Sequence, residues 1–205
     1  MEKQTPASEL RDRMERFRIR MERDDPSWEF AAIFGRTNQF YFTGTMQDGG
    51  VLLIPPRNAG GAVLWVRRSI DRAEDESLFP PDIRPMKSFR DAAAGMGACP
   101  GTVHLETEVV PLALLERFRK YFPPFRETGG SLDAPAAAVR AKKSAYELSL
   151  MERAGKIHRH VLEDVVPAML REGGMSEAEL GGEVFARMVK EGHHASPGSG
   201  GSGRR

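Results

Sequence analysis

The sequence has a single cysteine, Cys99, among 205 residues. An internal disulfide is therefore excluded, and a reducing compartment fits. No stretch approaches the roughly 18 consecutive apolar residues that a membrane-spanning helix needs. The start, Met1-Glu2-Lys3-Gln4-Thr5-Pro6, runs into charged residues and offers no apolar signal core. Net charge is also scarce: 30 basic and 29 acidic side chains leave +1. That balance gives no reason to expect nucleic acid or an anionic membrane as a main partner. Together these absences lead to an expected cytoplasmic location. There is no internal repeat.

What is present is ordinary for a globular chain, with 40% hydrophobic and 29% charged residues. The length suits one large domain, or a domain plus a fragment. Leu10, Met14, Phe17 and Met21 recur at helical spacing and predict a helix over residues 5–23. Thr5 is placed to cap it, and Pro6 suits its first position because it lacks an N–H to satisfy. Asp24-Asp25-Pro26 ends it.

Apolar runs at 28–34, 50–54 and 62–66 read as strands, punctuated by Gly49-Gly50, Pro55-Pro56 and Asn58-Ala59-Gly60-Gly61. The second and third form a plausible hairpin, and their density points to a sheet covered on both faces. A charged helix is expected over 69–77, strands over 83–89 and 102–105, and a short helix over 91–96. Pro111, Leu115, Phe118 and Phe122 mark a further helix with Pro111 in its first turn. The fold class is α/β, a mixed sheet flanked by helices, ending near residue 134.

The texture then changes. Leu150, Ala154, Ile157, Val161 and Val165 form one stripe of a long helix over 144–166, with Pro167 ending or kinking it. Gly173-Gly174 terminates the following turn, and Ser176 with Glu179 makes a capping box for a last helix that ends at Gly192. Residues 195–205 contain only glycine, serine, proline, alanine and arginine. Nothing there builds a core, and they read as a disordered tail.

Thr37-Asn38-Gln39-Phe40-Tyr41-Phe42-Thr43-Gly44 resembles the Asn-x-x-Tyr-(Leu/Phe)-Thr-Gly segment of the creatinase and prolidase amino-terminal domain. Arg140-Ala141-Lys142-Lys143-Ser144-Ala145-Tyr146-Glu147-Leu148 resembles the signature that opens the first long helix of that family's catalytic domain. Gly174-Met175-Ser176-Glu177-Ala178-Glu179-Leu180 resembles the next family element. On these motifs the chain resembles the Xaa-Pro aminopeptidase, prolidase and creatinase metallopeptidases. The resemblance implies a creatinase-like amino-terminal domain over 1–134 and the first helices of a truncated pita-bread catalytic domain over 135–194. In intact relatives a divalent metal pair such as manganese, cobalt or zinc is held by two aspartates, a histidine and two glutamates. All five lie beyond the second catalytic-domain helix, so no metal ligand and no catalytic residue is carried over to this chain. Asn38 and Tyr41 are the candidates for a substrate-cleft wall. Their segment otherwise reads as a strand-turn-strand element in which Gly44 takes a conformation other residues avoid.

The remaining candidates read as structural. His193-His194 are adjacent at a helix end and point apart. His158 and His160 lie two apart, where helical ligand pairs need three or four. His104, Glu106 and Glu108 would share one face of a continuing strand, but a solvated strand end is the expected reading. Cys99 sits in a turn with no cationic neighbour to activate it. The glycine-rich run 196–203 has no following helix and is not a phosphate loop.

The expected role is thus a truncated, non-catalytic peptidase-family chain, with peptide substrate only in the intact protein. The alternative is a dimerisation or regulatory module, either a homodimer or a partner of an intact relative. A third possibility is that the sequence is incomplete. The abrupt change at Ala195 has its own expectation, a shifted reading frame. The codons GGC ATC GCC CGG TTC C, for Gly-Ile-Ala-Arg-Phe, give Ala-Ser-Pro-Gly-Ser once the first base is dropped.

Overall fold

The structure is a computed structural model. It describes residues 4–79, 82–96, 101–122 and 127–192. The expectations for Cys99, His193, His194 and the 195–205 tail lie outside the described residues.

The chain divides into two compact units, Met1–Lys142 and Lys143–Arg205. The first holds helices α1 (Ala7–Asp24), α2 (Arg36–Thr43), α3 (Ile70–Glu76), α4 (Phe89–Gly95), α5 (Leu112–Arg119) and α6 (Asp133–Ala141). Its strands are β1 (Ala31–Ile33), β2 (Val51–Ile54), β3 (Val63–Val66), β4 (Asp82–Pro85), β5 (Thr102–Leu105) and β6 (Glu127–Ser131). They form one mixed sheet in the order β4-β3-β2-β1-β5-β6. β2 pairs antiparallel with both β1 and β3, while β3–β4, β1–β5 and β5–β6 are parallel.

Side chains alternate across this sheet because successive Cβ atoms point to opposite faces. Ala31, Ile33, Leu52, Ile54, Leu64 and Val66 share a buried cluster with Leu10, Phe17, Met21, Phe42 and Val139. Ala32, Val51, Leu53, Trp65, Val103 and Leu105 share the other with Phe89, Phe118 and Phe122. Each of the Val, Leu, Ile, Phe and Met side chains among these that is fully removed from water contributes roughly 1.5–3 kcal/mol. Phe118 is the hub of the second cluster, edge-on to Phe34 and Phe89 and stacked on Phe122 at 4.2 Å. Sheet coverage on both faces is as the dense apolar runs implied.

Several local readings are corrected. α1 starts at Ala7 with Pro6 as its N-cap residue and no side-chain cap, so Thr5 does not cap it. Residues 37–44 are not strand-turn-strand but the body of α2, closed by Gly44 at φ 78°. β6 and α6 were not foreseen. β6 carries an irregularity opposite Val103 and His104, where Thr128 and Gly130 are the paired residues. α6 packs against α1, and the expected boundary near residue 134 falls at its start.

The second unit opens with α7 (Ala145–Arg159), capped by Ser144 and Glu147 in a capping box. Ahead of Pro167 the helix departs from regular α geometry, in keeping with the expected break. It widens into a π-helical turn over His160–Val165 and continues as α8 (Val166–Glu172). The Pro167 ring cannot tolerate an ordinary helical carbonyl four residues back, and the wider turn accommodates it, with the Val166 N–H donating to the Val161 carbonyl. Gly173 and Gly174, both at positive φ, reverse the chain into α9 (Glu177–Lys190), which starts with the expected Ser176–Glu179 capping box. Among the described residues, no helix is long and apolar enough to cross a membrane.

Candidate functional site

α2 begins immediately after β1 and has no side-chain cap of its own at Gly35. The first N–H groups of a helix need acceptors from elsewhere. Here the N-cap N–H finds its acceptor in a residue 71 positions away. The Phe34 and Gly35 N–H groups both donate to Oε2 of Glu106 at 2.6 Å, and Asn38 Nδ2 donates to Oε1 at 2.8 Å. Glu106 follows β5 directly and is 1% exposed. Its negative charge sits at the positive end of the α2 dipole. A Cβ at position 35 would lie 2.6 Å from Glu106 Oε1, so glycine is what lets the carboxylate in.

The same network continues outward. Asn38 Oδ1 accepts from Arg140 Nη1 of α6 at 3.3 Å. One turn further along α2, Tyr41 is buried. Its hydroxyl donates to the Val139 carbonyl at 3.4 Å and accepts from Arg16 Nη2 at 3.2 Å. The buried Arg13 guanidinium lies 4.5 Å above the Tyr41 ring, donates to the Tyr41 carbonyl and pairs with Glu9. Arg16 also donates to the Lys142 carbonyl at 2.8 Å. Gln39 is fully buried and donates to the carbonyls of Ile33, Phe34 and Gly50. Both cleft candidates thus bond α6, the element by which the chain leaves the first unit.

His104 and Glu106 are buried rather than solvated, which corrects the strand-end reading. The strand stops at Leu105, so His104, Glu106 and Glu108 do not line one face. His104 Nε2 meets Asp25 Oδ2 at 3.1 Å, and its Nδ1 has no partner among the described residues. Asp25 titrates below the ordinary carboxylate range, chiefly because the Ser27 side chain donates to it, with His104 adding to the effect. Glu108 is exposed, and its N–H donates to Asp133. His158 and His160 are exposed, and His160 Nδ1 meets Asp164 Oδ2 at 2.9 Å. With both Glu106 oxygens taken by N–H donors, this cluster does not fit a two-metal cage. Among the described residues, no three histidine, cysteine or acidic side chains converge on a metal-sized site. Glu106 was not singled out as a helix anchor from the sequence, because its partners are 68 to 72 residues away.

A six-stranded mixed sheet with helices on both faces, tied to a following helical unit through α6, defines a creatinase-like amino-terminal domain with the start of a pita-bread domain. Residues 13–141 match the sequence model of the creatinase/prolidase N-terminal domain, and the chain belongs to that family. Solved structures agree. The prolidase of Pyrococcus horikoshii OT3 superposes with a TM-score of 0.70 at 22% identity, over 88% of this chain and 49% of that one. The dipeptidase PepE of Mycobacterium ulcerans gives 0.73 at 18% identity, over 94% and 52%. A proline dipeptidase from Streptococcus pneumoniae gives 0.52 at 14% identity, over 63% of this chain and 98% of that one. The chain thus spans about half the length of the first two. No curated protein matches the sequence significantly.

Proposed function

We propose that this chain is the non-catalytic amino-terminal part of a two-metal peptidase acting at Xaa-Pro bonds. In this reading residues from Lys143 onward are the opening helices of the catalytic domain. The observation that carries it is the internal use of the motif residues Asn38 and Tyr41 and of Glu106, which spend their polar groups on α2 and α6. Asn38 and Tyr41 would then serve the substrate cleft by fixing where α6 hands the chain to the catalytic domain. The test is turnover of Xaa-Pro dipeptides and longer peptides with added manganese, cobalt or zinc. The expected result is none from this chain alone. Turnover that His104→Ala abolishes would overturn the reading.

A second reading is favoured by one observation. In the Lys143–Gly192 segment, Leu148, Met151, Leu162, Leu170 and Phe185 are exposed. Apolar surface of this kind marks an interface. A module that pairs with an intact relative, or with its own copy, would cover it. Recovery of a full-length relative with this chain in a stoichiometric complex distinguishes this from the first reading.

A further inference from the structure

A cavity of about 280 Å³ lies at the carboxyl ends of the parallel strands β3 and β4, wholly within the first unit. Arg67 directly follows β3, and Lys87 and Ser88 follow β4. Arg117, Lys120 and Tyr121 come from the last turn of α5 and the residues just beyond it. Ligands of α/β sheets collect at the carboxyl ends of the strands. The volume is just below that of drug-sized sites, so the space suits a small ligand. None of these residues belongs to the Glu106 network.

The lining is one-sided in charge. Arg67, Lys87, Arg117 and Lys120 are all exposed, and no acidic residue lines the cavity. Among the described residues, none of their four charged groups meets a carboxylate. Asp91 and Glu116, the acids nearest in sequence to Lys87 and Lys120, stay outside the lining, and Asp91 turns its Oδ2 to the Lys87 and Ser88 N–H groups. Arginines elsewhere in the unit behave differently. Arg20 and Arg23 both bond Asp24, Arg57 bonds Glu15 and Glu22, and Arg84 bonds Asp82. In a chain of net charge +1 this concentration of unmatched cations is local. Cations within a Debye length of about 8–10 Å repel one another. An anion that bridges them is favoured both by attraction and by relief of that repulsion.

The cations stand on a rigid base. Phe89 and Phe118 meet edge-on at 5.4 Å, and Phe118 stacks on Phe122. Arg90 and Lys120 lie over the Tyr121 ring, 5.6 Å and 5.8 Å from its centroid, which brings a fifth cation to the rim. The polar groups of this wall are donors. Lysine and arginine accept nothing. Ser88 Oγ already accepts from the Arg90 N–H, and its own O–H is left to donate. A peptide would bring backbone N–H groups that find no carboxylate or amide acceptor among these side chains, and a single carboxylate would match one charge of four. Linked phosphoryl groups accept through every outer oxygen and carry several charges on a compact body.

We propose that this cavity binds a compact oligophosphate, two or three linked phosphoryl groups, either free or as the phosphate chain of a nucleotide. Arg117 and Lys120, three apart at the end of α5, hold one end of the chain, and Arg67 and Lys87 hold the other. The inference does not rest on the peptidase reading.

The probe is metal-free inorganic triphosphate, titrated into the full chain at low ionic strength and read by isothermal titration calorimetry. The expected result is one saturable site per chain, with orthophosphate at least about tenfold weaker. Metal-free ATP is titrated beside it. Tighter binding than triphosphate assigns a nucleotide as the source, and equal or weaker binding assigns a free oligophosphate; either supports the site. The double variant Arg117→Gln with Lys120→Gln should lose at least about tenfold in affinity. Arg20→Gln with Arg23→Gln removes the same charge from α1 and should stay within about twofold of wild type. Unchanged circular dichroism shows that both double variants are folded. No saturable heat, orthophosphate binding as tight as triphosphate, or an equal loss in the α1 variant would overturn the proposal.

Discussion

Replacing Glu106 by glutamine removes one charge and changes almost no volume, so it isolates the anchoring of α2. The glutamine carbonyl can take the Oε2 position and still accept from the Phe34 and Gly35 N–H groups. Its amide nitrogen then faces Asn38 Nδ2, donor against donor. Asn38 can turn its amide over to accept from the new residue, but its own nitrogen then faces Arg140 Nη1. One hydrogen bond is lost on either route, and the two that remain lose their charge assistance. Hydrogen bonds to charged groups contribute about 1.5–3 kcal/mol each against about 1 for neutral ones. The expected loss is therefore about 2–3 kcal/mol, set against a total stability of roughly 5–15 kcal/mol. Urea denaturation followed by tryptophan emission reads it, since Trp28 and Trp65 both lie in the first unit. The relay makes a sharper claim. Once Glu106→Gln has turned the Asn38 amide, Arg140→Ala has less left to lose. The double variant should be more stable than the sum of the single losses allows by about 0.5 kcal/mol or more. A loss below about 0.5 kcal/mol for Glu106→Gln would refute the network as described, whereas strict additivity with Arg140→Ala would show that the Asn38 amide had not turned.

Gly35→Ala should cost about 2–3 kcal/mol on the same assay, because its Cβ would occupy the place of Glu106 Oε1. Phe118→Ala should cost about 3–5 kcal/mol by opening the hub of the second core cluster. At pH 7, Asp91→Asn should destabilise α4, where the Asp91 carboxylate accepts from the Ser88 and Lys87 N–H groups and titrates below its usual value for that reason. A depressed folded value means stability present above the ordinary carboxylate range and lost as pH falls through the lowered one. The gap in urea midpoint between wild type and Asp91→Asn should therefore close in acid. Limited proteolysis should leave a resistant fragment ending near Lys142, since the apolar side chains of the second unit are largely exposed. Uniform protection through residue 190 in a dilute monomer would contradict that.

β2 and β3 were legible because their buried runs are continuous and bounded by glycine and proline. α2 was not. Phe40-Tyr41-Phe42-Thr43 is aromatic and β-branched, which by local preference favours a strand. The helix forms because Glu106 holds its N-cap Gly35 and the Asn38 side chain in its first turn, and because Tyr41 and Phe42 bury against α1 and α6, facts that no local window contains. Gly44 was read correctly as a special backbone position, though at a helix end and not in a strand turn. β6 escaped because Glu127-Thr128-Gly129-Gly130-Ser131 has no apolar alternation, and its pairing with β5 is a backbone matter. The capping boxes at Ser144 and Ser176 lie within four residues, and the second was readable directly.

The π turn at His160–Val165 has a consequence for any surface that α7 and α8 come to rest on. A π turn is, in effect, one extra residue inserted into a helical screw, and one residue of an α-helix is a rotation of about 100°. In an unbroken helix Leu170 would lie about 200° round from Leu150; the extra residue brings that to about 100°, so α8 presents Leu170 a quarter-turn from the stripe that begins at Leu150. The rod behaves as two shafts coupled through an offset gear, each aimed at its own neighbour. Deleting one residue between His160 and Val165 would restore an ordinary helical turn, leave the two headings unchanged, and set the Pro167 ring against the carbonyl four residues back.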